Sequence, residues 1–173
     1  EKLIPALVRS EIEPTPHLLE RAQGYVAGRG FDPQRMQLVD KQVAGREWKG
    51  RLLRENDLLP TLEQHYLKHV VARQEWAEGT TITEYVQTAE DVIRNAESGI
   101  LAAKVRNRWH MFFVDRVPDV RPHTGSDWVV VQYAVSEGYW WSAYRLWRGV
   151  EQLTGLAERE GNRWLRLLPK RES

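Results

Sequence analysis

The chain has 173 residues, 42% hydrophobic and 28% charged, which suits one globular domain with a real core and excludes a disordered or fibrous chain. Cysteine is absent, which excludes disulfides, a thiolate nucleophile and cysteine-held zinc, and suits a reducing compartment or a chain that unfolds and refolds during delivery. The net charge of +1 is spread evenly, with 10 Lys/Arg and 9 Asp/Glu in residues 1–60 and 15 of each in 61–173, so any nucleic-acid site has to be a local patch.

No apolar run approaches the ~20 residues of a bilayer span and no signal-peptide pattern is visible, so the expected place of action is the cytoplasm. The start at Glu1 rather than Met is compatible with a domain of a longer protein carrying a delivery module upstream.

Residues 1–60 read as short helices broken by Pro and Gly, either a helical linker or a subdomain. Pro16 opens a helix through Leu18, Leu19, Ala22 and Val26, which stops near Gly28-Arg29-Gly30. Pro33 opens a second through Met36, Val39 and Val43, ending at Gly45, and Trp48, Leu52 and Leu53 keep helical spacing over Arg46–Asp57. Asp57–Pro60 is a break.

Residues 61–173 read as one α+β unit. Leu62–Gln74 is predicted helical, Trp76–Thr80 a loop, and Thr81 with Glu84 makes a capping box before a helix through Ile82, Tyr85, Val86, Ala89 and Ile93 that ends near Ser98-Gly99. The period then changes. Trp109–Val114, Trp128–Val135 and Tyr139–Leu146 are rich in β-branched and aromatic residues and read as strands, the last two joined as a hairpin by Ser136-Glu137-Gly138. Leu101–Val105 adds a further strand, and Arg163–Leu168 is a strand or a short helix. The fold expected is α+β, N-terminal helices followed by a small antiparallel sheet packed on two helices.

His65, Lys68 and His69 stand at i, i+3 and i+4 on one helical face, within reach of one another. Two imidazoles serve as general base and acid near neutral pH, and a lysine steadies a developing anion while favouring neutral imidazoles. That set suits metal-free cleavage of an RNA phosphodiester: a base takes the 2′-OH proton, a cation holds the phosphate, and an acid protonates the leaving 5′-oxygen. The ordinary alternative is an exposed helix face. His-x-x-x-His also suits zinc, but Tyr66 stands where a metalloprotease carries Glu, and no third ligand is signalled unless His110 or His123 supplies it.

In the last strand, period 2 puts Trp140, Ser142, Tyr144 and Leu146 on one face, with Trp141, Ala143 and Arg145 on the other. Ser142 and Tyr144 could hold a phosphate or a ribose, Arg145 could pair with a phosphate, and Trp140 or Trp141 could stack on a base. Core packing is the competing reading for the aromatics. Lys104, Arg106, Arg108 and His110 alternate as a positive stripe, either a solvated face or a phosphate track; Arg159, Arg163, Arg166, Lys170 and Arg171 are interspersed with acids and read as surface. Nucleotide-loop and serine-elbow signatures are missing.

The order of these motifs, His65-x-x-Lys68-His69, then the Thr81/Glu84-Tyr85-Val86 helix, then a sheet ending in Trp141-Ser142-Ala143-Tyr144-Arg145, resembles the barnase–EndoU–colicin–RelE superfamily of metal-independent RNases, in its phage-associated and polymorphic-toxin branches. The resemblance covers roughly residues 62–147. It implies an RNase toxin acting on RNA, tRNA among the candidates, without metal or cofactor, with a cognate immunity protein or antitoxin as partner. It implies His65, Lys68, His69, Ser142 and Tyr144 as catalytic; beyond the motif, Arg145, Arg106, Arg108 and Trp140 are expected on the substrate. The alternatives are a non-catalytic interaction or structural domain, in which the eight Trp residues anchor core and interface, and a zinc hydrolase on His65 and His69.

Overall fold

The computed structural model describes residues 2–95, 99–118 and 126–167, a mixture of helices and antiparallel strands. Helix α1 spans Leu3–Val8 and α2 spans Pro16–Ala27. Thr15 sets the start of α2: its hydroxyl accepts from the Leu18 N–H at 3.3 Å, and Pro16 at the first helical position forfeits no hydrogen bond.

The helix expected over residues 33–45 does not form. The Asp32 and Asp40 carboxylates accept from the N–H groups of Gln34 and Gln42 at 2.9 and 2.8 Å, and such side-chain turns compete with helical hydrogen bonding. Between them lies strand β1 (Met36–Leu38). The helical spacing over 46–57 also misleads. Strands β2 (Glu47–Trp48) and β3 (Arg51–Leu52) make a hairpin about Lys49 and Gly50, whose φ values of 50° and 76° are those its two-residue turn requires. Strand β4 (Leu58–Pro60) then runs antiparallel to β1.

Helix α3 (Thr61–Tyr66) passes directly into a π-helical stretch, Leu67–Ala72, so the helix expected over 62–74 is present but changes its hydrogen bonding half-way. The Arg73 N–H bonds the Lys68 carbonyl, five residues back, at 2.9 Å, and Gln74 (φ 52°) turns the chain away. Helix α4 (Ile82–Arg94) starts at the complete Thr81/Glu84 capping box. Its expected end at Ser98 lies outside the described residues.

Five strands follow: β5 (Gly99–Val105), β6 (Arg108–Arg116), β7 (Trp128–Ala134), β8 (Tyr139–Arg145) and, after helix α5 (Glu151–Ala157), β9 (Arg163–Arg166). They form one antiparallel sheet in the order β8-β7-β6-β5-β9, which makes β8 an edge. The C-terminal segment is therefore a strand; Leu168 and the basic pair Lys170 and Arg171 lie outside the described residues. Among those residues no helix is long and apolar enough to cross a membrane.

Alternation along the strands builds two cores. Ile100, Ala102, Met111, Phe113, Val129 and Val131 pack against Leu7, Leu19, Val26 and Ile93 of the helices, and Leu101, Ala103, Phe112, Val114 and Val130 pack against Leu153 of α5. A third cluster gathers Val39, Val43, Leu53 and Leu59 around Leu67 of the π-helical stretch. Residues 1–60 are thus divided between two cores that both continue past residue 60. The expected boundary there falls at the cap of α3 and separates nothing in the packing.

The expected facing of β8 needs one correction. Gln132 pairs with Ser142 and Tyr133 with Trp140, so Trp141 is an extra residue in a β-bulge. The bulge puts Trp140 in the helix-covered core with Ala143, while Tyr144 joins the opposite face with Leu146. Trp140 is fully buried and its indole N–H donates to the Val26 carbonyl at 2.8 Å, so it has no surface on which a base could stack. Replacing Trp140 with Ala should lower unfolding free energy by about 3–5 kcal/mol, the usual cost of emptying a buried aromatic site; a urea midpoint equal to that of wild type would show that the indole is not core.

Candidate active site

The edge strand β8 exposes backbone groups that the sheet leaves unpaired, and the preceding segments cover them. The Trp140 N–H donates to Gly30 at 2.9 Å, the Tyr85 hydroxyl donates to the Ala143 carbonyl at 2.5 Å, and the Arg145 N–H donates to Oε1 of Glu75 at 2.7 Å. Gly30 and Tyr85 cover the edge from the α2 and α4 side, and Glu75 ties to it the chain that leaves the π-helical stretch.

Side chains that the sequence singled out meet along this edge. His65 Nδ1 lies 3.1 Å from Ser142 Oγ, and His69 Nδ1 lies 2.7 Å from Oε2 of Glu75. One helical turn apart, the two imidazoles are nearly parallel, with centroids 5.8 Å apart and planes within 4°. The Tyr144 ring stacks on the other neighbour, 5.7 Å from His69, and Phe31 stacks 6.0 Å from His65. The order Phe31, His65, His69, Tyr144 is a column of four rings flanked by Ser142 and Glu75.

The column is enclosed. His65 is 8% exposed and His69 5%, Ser142 is buried and Tyr144 half-buried. Burial pushes the His65 imidazole down to about 3, with His69, Lys68 and Arg35 adding positive charge nearby, so the ring is neutral at pH 7. The sequence reading expected Lys68 to favour neutral imidazoles; for His65 the larger cause is loss of water. Burial, then the Glu75 carboxylate, pushes the Tyr144 phenol up to about 12, which keeps it a proton donor at neutral pH. His65 Nε2 is buried with no protein partner among the described residues, as is Oε1 of the adjoining Gln64.

Other expected site residues are placed elsewhere. Lys68 turns to Asp40, with Nζ 3.4 Å from its carboxylate. Arg145 is 1% exposed and its Nε donates to the Ser126 carbonyl beneath Trp147, so it offers no guanidinium to an incoming phosphate. Arg106 lies in the β5–β6 turn, where it and Asn107 have φ of 49° and 65°, and Arg108 opens β6. That turn breaks the expected stripe: Lys104 pairs with Trp109, while Arg106, Arg108 and His110 line a separate depression. His110 is bonded to Gln132, and His123 lies outside the described residues. Among the described residues no group of three His, Asp or Glu is placed to hold a metal ion.

Comparison with protein-family models, with curated proteins and with solved structures found no match.

Three residues at the site escaped sequence reasoning, among them Phe31, the first ring of the column. Glu75 reaches back to His69 only because Gln74 takes a left-handed turn that nothing in the helical periodicity announces. Arg35 comes from a segment read as helix; it lies 4.1 Å over the Trp141 ring and is one of the cations His65 senses.

His65 also makes stability depend on pH. An unfolded chain binds its proton near 6.5, whereas the folded protein refuses it until about 3, so stability is complete above 6.5 and is lost as pH falls through that window. The slope from one such group is at most about 1.4 kcal/mol per pH unit. Between pH 7 and 4.5 the urea midpoint of wild type should fall further than that of His65→Gln; equal losses would mean that His65 takes up its proton without penalty.

Proposed function

We propose that this chain is a metal-independent endoribonuclease that cuts RNA by attack of the 2′-OH on the adjoining phosphate. The observation that carries the reading is the convergence of His65 on Ser142 and of His69 on Glu75 and Tyr144 along one strand edge. Hydrogen-bonded and charged groups of these types are what phosphodiester transfer needs: a base, an acid and donors for the phosphate oxygens.

In this reading His69 is the general base. The buried Glu75 carboxylate at Nδ1 fixes the ring and balances a proton received at Nε2, as a carboxylate does for imidazole in acyl transfer. Attack of the 2′-oxygen forms its bond to phosphorus, and the P–O5′ bond breaks to leave a 2′,3′-cyclic phosphate. The Tyr144 hydroxyl, still protonated at neutral pH, gives its proton to the departing 5′-oxygen. Neutral His65 orients the Ser142 hydroxyl, and because one proton of the pair is spent in their mutual bond, one donor, the hydroxyl or Nε2–H according to the tautomer, remains for a phosphate oxygen. Lys68, though paired with Asp40, and then Arg35 supply the positive charge nearby.

The wider proposal follows the resemblance: a toxin that acts in the cytoplasm of a target cell, tRNA among its substrates, held in check by an immunity protein or antitoxin. A non-catalytic interaction or structural domain is the second reading. It is favoured by the near-complete burial of His65 and His69, since a hydrogen-bonded core network would look the same.

Incubation with total RNA in EDTA separates them. The proposal expects 2′,3′-cyclic phosphate ends, and a rate loss of about 10²-fold or more in His69→Gln and in Tyr144→Phe, the size of a lost acid or base. RNA left intact by folded wild type would sink it in favour of the interaction domain, and activity abolished by EDTA would move the reading to a metal enzyme.

A further inference from the structure

On the sheet face opposite α2 and α4, a depression of about 540 Å³ opens beside the site, lined by Val105, Arg106, Arg108, His110, Gln132 and Trp141. Its size falls within the range of roughly 300–1,000 Å³ typical of small-molecule sites. It adjoins the proposed site at two points of the chain: Gln132 is the register partner of Ser142, and Trp141 is its neighbour in the β8 bulge.

The lining combines an aromatic ring with hydrogen-bonding groups. Trp141 gives an aromatic wall, with its indole packed edge-on to His110 at 5.8 Å and covered by Arg35, which is not part of the lining. On the floor, the Gln132 amide and His110 Nδ1 are 2.9 Å apart. If the Gln132 NH₂ donates, His110 carries its proton on Nε2, and the pair shows the depression one acceptor, Gln132 Oε1, and one donor. If the amide turns over, Nδ1 is the protonated nitrogen and the order reverses, with Nε2 as acceptor and NH₂ as donor. Burial holds the His110 imidazole below its usual range, opposed by Glu137 and aided by Arg108, which favours these neutral forms. At the rim, Arg108 is engaged by Glu137 at 2.6 Å, whereas Arg106 has no ion-pair partner among the described residues.

Resting on the ribonuclease reading, we infer that this depression is a nucleotide subsite of the same groove. It takes the base of a nucleotide flanking the cleaved phosphate against Trp141 and reads its hydrogen-bonding edge through His110 and Gln132, with Arg106 on the backbone phosphate. Adenine and cytosine offer an amino donor beside a ring acceptor; guanine and uracil offer a carbonyl acceptor beside a ring N–H. Because the His110–Gln132 pair inverts its order without losing its internal bond, it accommodates both classes. The subsite therefore grips a base without choosing one, which is how single-stranded RNA is held with low sequence preference.

The test uses wild-type protein and an RNA octanucleotide carrying 2′-O-methyl groups, which lacks the attacking hydroxyl, with binding followed by fluorescence anisotropy. Trp141→Ala should weaken binding about tenfold or more, the loss expected of one stacked base. Arg106→Gln, at an exposed turn, should leave the fold intact and reduce the slope of log affinity against log salt by about 0.7, the contribution of one phosphate on a single strand. An octanucleotide that does not bind, or that binds both variants with wild-type affinity and salt slope, overturns the subsite. Cleavage of unmodified RNA by wild type with KM unchanged in Trp141→Ala overturns the subsite and spares the ribonuclease reading. Octanucleotide binding that depends on Trp141, with no cleavage by wild type, does the reverse.

Discussion

One carboxylate holds the arrangement together. Glu75 is almost fully buried, and its two oxygens have separate duties: Oε2 meets His69 Nδ1 and Oε1 accepts the Arg145 N–H from the edge of the sheet. A buried charge with neither partner would cost several kcal/mol, so the π-helical stretch and β8 are bound to each other through it. The position of the His69 ring is in this way set by the sheet. The same contact closes part of an open strand edge, which would otherwise invite pairing with another chain.

Around Glu75 the fold gives like groups unlike environments. His65 and His69 share a helical face and lie parallel, yet one faces a hydroxyl and the other a carboxylate. Tyr144 and Tyr85 both feel Glu75, and both are held protonated by burial, Tyr85 bonded to backbone and Tyr144 stacked on His69. Separating equivalent side chains by environment is how a single site obtains both a proton acceptor and a proton donor at one pH. The enclosure that does this also limits access to the ring column.

Much of this was legible in the sequence because it rests on periodicity. The i, i+4 spacing of His65 and His69 stacks the rings, the capping box sets α4, and the β-branched and aromatic runs became strands with Ser142 and Tyr144 at the helix-facing edge. The misreadings have local causes. Trp48, Leu52 and Leu53 match a helical period by chance, while the decisive signal was the dipeptide Lys49-Gly50, able to take two consecutive positive φ values. The bulge at Trp141 adds one residue and so reverses Trp140 relative to a strict alternation. Glu75 and Arg35 reach the site through a turn and through tertiary packing, neither of which leaves a spacing to read. Lys68 sits on the expected face, but Asp40, brought close by a turn read as helix, draws it off.

The proposal that Glu75 prepares His69 to take the 2′-OH proton of RNA is tested by the steady-state cleavage kinetics of Glu75→Gln. The amide keeps an acceptor for the Arg145 N–H, and with it the edge contact, while removing the charge behind the imidazole. In Glu75→Gln, kcat should fall about 10²-fold or more with KM near the wild-type value, as when the carboxylate behind a catalytic imidazole is replaced by an amide. A Glu75→Gln protein that cleaves RNA with wild-type kcat would contradict the proposal.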